Sequence, residues 1–245
     1  MQYDFDEDLK SLLKERADKV RENILSACKA SGRDSSEVTL IGVSKMFPVE
    51  YAEAAFCGGI NNLGENKVQE MVPKIERFNE LGLEANWHLI GTLQKNKVKY
   101  IVGKTHLIHS VNTVDLASEI AKRFQNAGYV ADILLQVNVS HEESKHGFDP
   151  SEMQTVIEEV NAMEGVRVRG LMTMAPIQTY DGEARSVFAK TRELFDSLKA
   201  DVKDSAAFDS LSMGMSQDYV HAIAEGSTFI RIGTDIFGKR NYGNT

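Results

Sequence analysis

The segment Val38-Thr39-Leu40-Ile41-Gly42-Val43-Ser44-Lys45 is the first strongly apolar run of the chain and predicts a buried strand over residues 38–44. The junction that follows, Ser44-Lys45-Met46-Phe47-Pro48, lacks the glycine-rich loop of a dinucleotide-binding sheet. A lysine at the end of a strand commonly just reaches water. It is alternatively a reactive amine, because burial or a cationic neighbour lowers the pKa of an amine, and the neutral amine condenses with a carbonyl.

Short apolar runs recur along the rest of the chain, with helical stretches between them. The further predicted strands cover residues 60–63, 87–90, 107–111, 133–139, 166–172, 208–213 and 228–232. The runs are nearly continuously apolar, as parallel strands covered on both faces are. Eight strands, each followed by a helix, predict an α/β fold with a single (β/α)8 TIM barrel, and a doubly wound open sheet is the alternative.

One barrel domain is expected over residues 1–245. Its N-terminal segment, residues 1–34, contains an amphipathic helix over residues 5–31 that is expected to pack on the barrel. Residues 238–245 are expected to form a short C-terminal tail. The connection at residues 94–102 has the weakest helical pattern.

The composition excludes several classes of function. A formal net charge of -8 makes a general nucleic-acid or acidic-membrane role improbable. No apolar run approaches the roughly 18 residues of a membrane helix, and the first residues are acidic where a signal peptide is basic. The 2 cysteines, Cys28 and Cys57, indicate buried thiols in a reducing compartment, so a cytoplasmic protein is expected. No spacing typical of a metal site is present.

The loops after the seventh and eighth predicted strands are candidates for a phosphate site. Ser212-Met213-Gly214-Met215-Ser216 leads into a helix, and Gly233-Thr234 forms a second small corner. Barrel enzymes customarily bind phosphate in these two loops, since free backbone N–H groups and helix N-termini attract anions. Each motif alone is equally typical of a helix cap or a turn, and the two together favour phosphate.

Arg231 stands inside the eighth apolar run, between Ile230 and Ile232. Because arginine keeps its charge, a buried one needs a partner, which is either a structural carboxylate or a ligand atom at the barrel mouth. Lysine on the first strand, arginine on the eighth and a phosphate site beside it fit pyridoxal 5′-phosphate (PLP). The lysine would take the aldehyde, the arginine the ring nitrogen and the loops the phosphate.

The sequence resembles the pyridoxal phosphate homeostasis proteins over nearly the whole chain. The segments that carry the resemblance are LIGVSK (40–45), LGEN (63–66), WHLIGTLQKNK (87–97), GLMTM (170–174), LSMGMS (211–216) and IRIGT (230–234). The resemblance implies the barrel domain of alanine racemase without its additional C-terminal β-domain. It also implies that Lys45 carries the Schiff base and that Arg231 faces the pyridine nitrogen. The phosphate would be held by Ser216, Gly233 and Thr234.

Four further residues are candidates for the cofactor site: Asn66, Met172, Ser212 and His88. Asn66 and Met172 are equally compatible with an ordinary place at the end of a strand. His88 lies within a predicted strand, where a packed or backbone-bonded histidine is at least as good an interpretation. The segment 145–148 (KHGF) follows the fifth strand and is either a lid or a plain polar loop.

An arginine beside the ring nitrogen keeps that nitrogen unprotonated, which weakens the ring as an electron sink. The leading hypothesis is therefore a PLP-binding protein without robust turnover that acts in PLP homeostasis, with PLP-dependent apoenzymes as candidate partners. A fold-type III amino-acid racemase is the alternative. Such racemases take a catalytic acid or base from an extra domain, and Tyr242 is the conceivable substitute for that acid or base. Without the extra domain, a monomer is expected. A third hypothesis is an aldolase that uses Lys45 on a phosphorylated sugar.

Overall fold

The computed structural model describes residues 6–140, 146–176 and 181–239. Parallel strands β1 to β8 pair in sequence order, and β1 also pairs with β8, so the sheet is a closed barrel. The strands are β1 Thr39–Val43, β2 Asn62–Glu65, β3 Asn86–Leu89, β4 Leu107–Val111, β5 Ala131–Gln136, β6 Val166–Met172, β7 Ser210–Met215 and β8 Phe229–Ile232. The predicted (β/α)8 barrel is confirmed, and the open-sheet alternative is wrong.

Helices fill the connections between the strands. They are α1 Glu7–Ala30, α2 Val49–Cys57, α3 Val68–Glu80, α4 Val114–Asn126, α5 Met153–Asn161, α6 Asp181–Leu198, α7 Tyr219–Ala224 and α8 Thr234–Phe237. Short 3-10 helices cover Ser35–Glu37, Lys95–Tyr100 and Pro150–Glu152. The connection with the weakest helical pattern is therefore a 3-10 helix, and it carries a run of lysines.

The N-terminal helix α1 packs against α2, α7 and α8 on the outside of the barrel. Its first turn is capped by Asp6, whose carboxylate accepts hydrogen bonds from two backbone N–H groups. After α1, the Arg33 guanidinium donates to the carbonyl oxygens of Ile223 and Ser227, at 2.8 and 2.9 Å. Apolar residues on one face of α1 and these bonds hold the helix on the barrel.

Two strands begin and end later than their apolar runs predict. The second strand covers residues 62–65 instead of 60–63. It continues through Glu65 because the charge of this buried side chain is paired with Lys74. The seventh covers residues 210–215 instead of 208–213. Its pairing with β8 shifts register between Ser212 and Met215, where Gly214 has a φ of 94° that favours glycine.

The barrel interior combines an apolar cluster with polar side chains. Leu107, Leu134 and Met172 form the cluster, and Met174 and Phe229 pack against it. Buried polar side chains share this interior, namely His88, His109, Ser212 and Arg231. Such polar side chains are costly inside a barrel unless each has a hydrogen-bond partner.

No helix in the described ranges has the length and apolar character needed to cross a bilayer. The described residues also contain no group of three or more His, Cys, Asp or Glu side chains placed to hold a metal ion. Both cysteines are free thiols, and Cys28 is buried while Cys57 is only half-buried. Burial raises the pKa of both thiols, which favours the thiol over the reactive thiolate.

Candidate functional site

A cavity of about 580 Å³ opens where the strands end and the helices begin. Six of the nine predicted cofactor residues line it: Lys45, Asn66, Ser216, Arg231, Gly233 and Thr234. The rest of its described wall consists of Val43, Ile90, Gly91, Thr92, Gln136, His146, Met174, Pro176, Met215, Gln217 and Asp218. An amine, a guanidinium and two hydroxyl groups from the ends of the neighbouring strands β1, β7 and β8 therefore converge on one space.

The corner that carries Lys45 is held in place by α3. Just before it, the carbonyl oxygen of buried Ser44 accepts a hydrogen bond from the Lys74 amine at 2.9 Å. Just after it, Met46 has a φ of 65°, a left-handed conformation that costs free energy in a non-glycine residue. The Met46 backbone N–H donates to a carboxylate oxygen of Glu70 at 2.7 Å. Charged side chains of α3 thus fix the backbone on both sides of Lys45.

Glu65 belongs to the support of this corner and not to the cavity. Its carboxylate accepts hydrogen bonds from the Lys74 amine and from the Ser44 hydroxyl, each at 2.6 Å. Burial raises the pKa of Glu65, and the charge of Lys74 opposes that rise. The Glu65 side chain is therefore turned away from the cavity and toward α3.

Arg231 is almost fully buried and still faces the cavity. Its Nη1 donates to Ser212 Oγ at 2.6 Å, and its Nη2 donates to the Thr173 carbonyl oxygen at 3.0 Å. Burial lowers the pKa of Arg231 to about 10, and Asp218 acts against that change, so the guanidinium remains charged at neutral pH. Among the described residues it forms no ion pair at hydrogen-bonding distance, and the nearby carboxylate of Asp218 acts on it only at longer range.

The adjoining wall is built by the ends of β7 and β8. Gly214 brings the backbone against α7, where an added Cβ would lie 2.7 Å from the Ala222 Cβ. The carboxylate of Asp218 accepts the Met215 N–H at 2.6 Å and orders the turn that contains Ser216. Burial raises the pKa of Asp218, while this hydrogen bond and Arg231 lower it.

Gly233 is the residue before α8, and its carbonyl oxygen accepts the first bonds of that helix. The N–H groups at the start of a helix have no partner within it. Thr234 adds a hydroxyl group at the same position in the wall. With Ser216 after the neighbouring strand β7, this corner is rich in donors, as the phosphate hypothesis requires.

Three predicted residues do not reach the cavity wall. Met172 lies in the interior cluster, and Ser212 lies beneath Arg231 as its hydrogen-bond partner. His88 is fully buried and bonds to His109 and Asn62. Direct contact of these three with a cofactor stays a prediction that the geometry does not favour.

Gln136 is a wall residue that sequence reasoning missed. Its amide donates to the His146 carbonyl oxygen at 2.8 Å and so connects the wall to the segment after β5. The sequence placed the end of this strand at residue 139, whereas β5 ends at residue 136. A polar residue inside the apolar run 133–139 was the available signal. Lys145 of the predicted lid and Tyr242 lie outside the described residues.

Known proteins resemble this chain along most of its length. The sequence profile described as "Alanine racemase, N-terminal domain" matches residues 16–241. A pyridoxal phosphate homeostasis protein of Aquifex aeolicus is 43% identical over 93% of this chain and 98% of its own. The protein of the same name from Escherichia coli K12 is 35% identical over 91% of this chain and 94% of its own.

Solved structures agree with these matches. PipY of Synechococcus elongatus, solved with PLP bound, is 32% identical, with a TM-score of 0.79 over 92% of this chain and 100% of its own. An alanine racemase of Clostridium difficile is 14% identical, with a TM-score of 0.66 over 94% of this chain and 57% of its own, which shows a shared fold alone. The chain therefore belongs to the alanine racemase N-terminal domain family and, within it, to the pyridoxal phosphate homeostasis proteins.

Proposed function

We propose that this protein binds PLP in the cavity at the strand ends, holds it as an imine of Lys45 and acts in PLP homeostasis or carriage without robust catalytic turnover. The observation that carries the proposal is the buried guanidinium of Arg231. It faces the same cavity as Lys45, and its hydrogen bonds within the described residues go to neutral acceptors, the Ser212 hydroxyl and the Thr173 carbonyl oxygen. A buried cation in that position is stabilised by an acceptor that a ligand supplies.

The wall residues fit the three polar ends of PLP. Lys45 supplies the amine for the aldehyde, and Arg231 supplies a donor for the pyridine nitrogen. Ser216, Gly233 and Thr234 supply hydroxyl and backbone donors for the phosphate, and Asn66 lines the same cavity. The corner held by α3 supports this assignment, because it fixes the backbone from which the Lys45 side chain extends.

Arg231 also favours carriage over catalysis. PLP, when bound, supplies an aldehyde and a ring that stabilises negative charge best when its nitrogen is protonated. A fixed guanidinium that donates to this nitrogen disfavours its protonation, because two positive charges would then lie side by side. The described cavity wall contains no tyrosine that could serve as the second acid or base of a racemase.

The names of the curated relatives support a role in homeostasis, since each is called a pyridoxal phosphate homeostasis protein. We therefore infer that the protein limits the free aldehyde in the cytoplasm and delivers PLP to apoenzymes. We further propose that it acts as a monomer and requires neither a membrane nor a nucleic acid.

Titration of the purified protein with PLP, followed by visible absorbance, tests this function. An imine band is expected in the wild-type protein and in Lys122→Ala, which removes an exposed lysine on α4. Lys45→Ala is expected to lose the band while it retains weaker, phosphate-anchored binding. An imine band of undiminished strength in Lys45→Ala would refute the assignment.

The racemase alternative is tested on the same proteins. The PLP-loaded protein is incubated with single-enantiomer amino acids, and the products are separated by chiral chromatography. No conversion above that of free PLP is expected. Sustained turnover that Lys45→Ala abolishes and Lys122→Ala retains would contradict the carrier proposal.

A further inference from the structure

A line of hydrogen-bonded side chains runs from Arg231 into the barrel interior. Arg231 Nη1 lies 2.6 Å from Ser212 Oγ, which lies 2.8 Å from His109 Nδ1. His109 Nε2 lies 2.9 Å from His88 Nδ1, and His88 Nε2 lies 3.0 Å from Asn62 Oδ1. The line joins β8, β7, β4, β3 and β2, and it ends at Asn62, the first residue of β2, away from the cavity at the carboxyl ends of the strands.

The direction of every hydrogen bond in this line follows from its two ends together, because Arg231 only donates and Asn62 Oδ1 only accepts. A guanidinium has donors and no acceptor, so Ser212 Oγ must accept from Arg231. The hydrogen of the Ser212 hydroxyl is then available to its other neighbour, Nδ1 of His109. When that nitrogen accepts, the proton of a neutral His109 lies on Nε2, which is the tautomer that the acceptor Asn62 Oδ1 at the far end also requires.

The same order continues to the far end. His109 Nε2–H donates to His88 Nδ1, so the His88 proton also lies on Nε2 and points to Asn62 Oδ1. Asn62 Oδ1 is an acceptor that also receives the Asn86 amide at 3.2 Å. A donor-only group at one end and an acceptor at the other thus leave one arrangement in which every hydrogen bond is made.

Both histidines are neutral in this arrangement, in accord with their surroundings. Burial lowers the pKa of His88 to about 3 and that of His109 well below its usual value, and their mutual proximity and Arg231 act in the same direction on His109. The rings also pack against Phe229, at 5.7 Å between centroids in each case. This apolar packing favours the neutral form of each ring.

We propose that Ser212, His109 and His88 are positioning residues that form a hydrogen-bond chain with a single direction. Both histidines are Nε2–H tautomers in this chain. The chain holds the plane of the Arg231 guanidinium in the orientation in which it donates to a ligand. Thr173 is the second anchor, through its carbonyl oxygen at 3.0 Å. Two fixed bonds to different nitrogens define the plane of a guanidinium. The part of the proposal that concerns the ligand rests on the proposed function, whereas the tautomers do not.

The tautomers are read by NMR on ¹⁵N-histidine-labelled protein at neutral pH, without PLP. Long-range proton–nitrogen correlation distinguishes protonated from unprotonated ring nitrogens, and His88→Gln and His109→Gln assign the signals. Unprotonated Nδ1 and protonated Nε2 are expected for both rings. A proton on Nδ1 of either ring, or a doubly protonated ring, would overturn the proposed chain.

The positioning role is tested with Ser212→Ala, which removes the hydroxyl, and Ser212→Thr, which keeps it. The readouts are the pH dependence of the bound-PLP absorbance and the affinity for PLP. Ser212→Ala is expected to shift the absorbance titration in the direction of Arg231→Gln while the affinity falls less than about tenfold, and Ser212→Thr is expected to restore the wild-type titration. A Ser212→Ala titration identical to that of the wild type would refute positioning.

The NMR experiment and the PLP titrations distinguish a failure of the hydrogen-bond chain from a failure of the proposed PLP-binding function. If wild-type protein binds no PLP, the proposed function fails, yet the tautomers still decide whether the chain exists. If Ser212→Ala does not fold, the wild-type NMR spectrum and the Ser212→Thr titration remain decisive, since disordered tautomers or a displaced titration would each contradict the proposal.

Discussion

The buried histidines make the stability of the barrel depend on pH, and His88 is the sharpest case. Its pKa is lowered from 6.5 to about 3, first by burial and then by nearby His106. The unfolded chain therefore binds a proton near pH 6.5 that the folded protein does not bind until about pH 3. The stabilisation contributed by neutral His88 is complete above its unfolded pKa of 6.5 and is lost progressively as the pH falls from there toward about 3.

The size of the effect follows from the linkage between protonation and folding. Each pH unit below the unfolded pKa costs about 1.4 kcal/mol per histidine, so a change from about pH 8 to about pH 5 costs about 2 kcal/mol for His88. His109, whose pKa burial also lowers, is expected to cost a similar amount. Glu65 and Asp218 act with the opposite sign, because burial raises their pKa values.

Urea unfolding across this pH range, on the wild type and on His88→Phe, isolates the histidine contribution. His88→Phe is expected to lower the unfolding free energy at every pH, but to lose about 2 kcal/mol less than the wild type between about pH 8 and about pH 5. Phe229→Leu loosens the same interior without removing a titrating group and should keep the wild-type pH dependence. Equal pH dependence in His88→Phe and the wild type would show that His88 is not a buried neutral base.

Three substitutions test the corner of Lys45, the cavity wall and the ring-nitrogen assignment. Met46→Gly should be about 1 kcal/mol more stable to urea than Met46→Ala, because alanine keeps the strained φ of 65°; an equal or more stable Met46→Ala would contradict this strain. Gly91→Ala places a Cβ 2.5 Å from the Asn66 carbonyl oxygen and should lower PLP affinity by more than about tenfold, whereas Gly182→Ala, which meets nothing within 4 Å, should not; unchanged affinity in Gly91→Ala would show that the wall gives way without consequence. Arg231→Gln should alter the pH titration of bound-PLP absorbance more than the affinity, and an unchanged spectrum across that titration would remove the arginine from the ring nitrogen.

Strand-end reasoning succeeded where a single cation stands in or directly after an otherwise apolar run. Lys45 and Arg231 end or lie within strongly apolar runs, and barrel closure brings both to one cavity. The predicted second strand stops at residue 63 and so leaves out the buried residue Glu65. Its burial depends on Lys74, nine residues later in the chain, and a pairing across elements has no local signal.

The polar interior of the barrel was harder to predict. His109 lies in a run that reads as apolar, and its partners His88 and Ser212 are 21 and 103 residues away in the chain. Each is unremarkable alone, and only the pairing order of the strands aligns them. Inward-facing histidines on the neighbouring strands β3 and β4 were the one available indication.

The central claim is a covalent bond between the Lys45 amine and the PLP aldehyde. Borohydride delivers hydride to the imine carbon and water protonates the nitrogen, which converts the imine into a stable secondary amine. Protein saturated with PLP is reduced, digested and mapped by mass spectrometry. The account predicts one dominant pyridoxyl adduct on the peptide that contains Lys45 and its loss in Lys45→Ala, whereas an unmodified Lys45 peptide, or an adduct confined to other lysines, would contradict it.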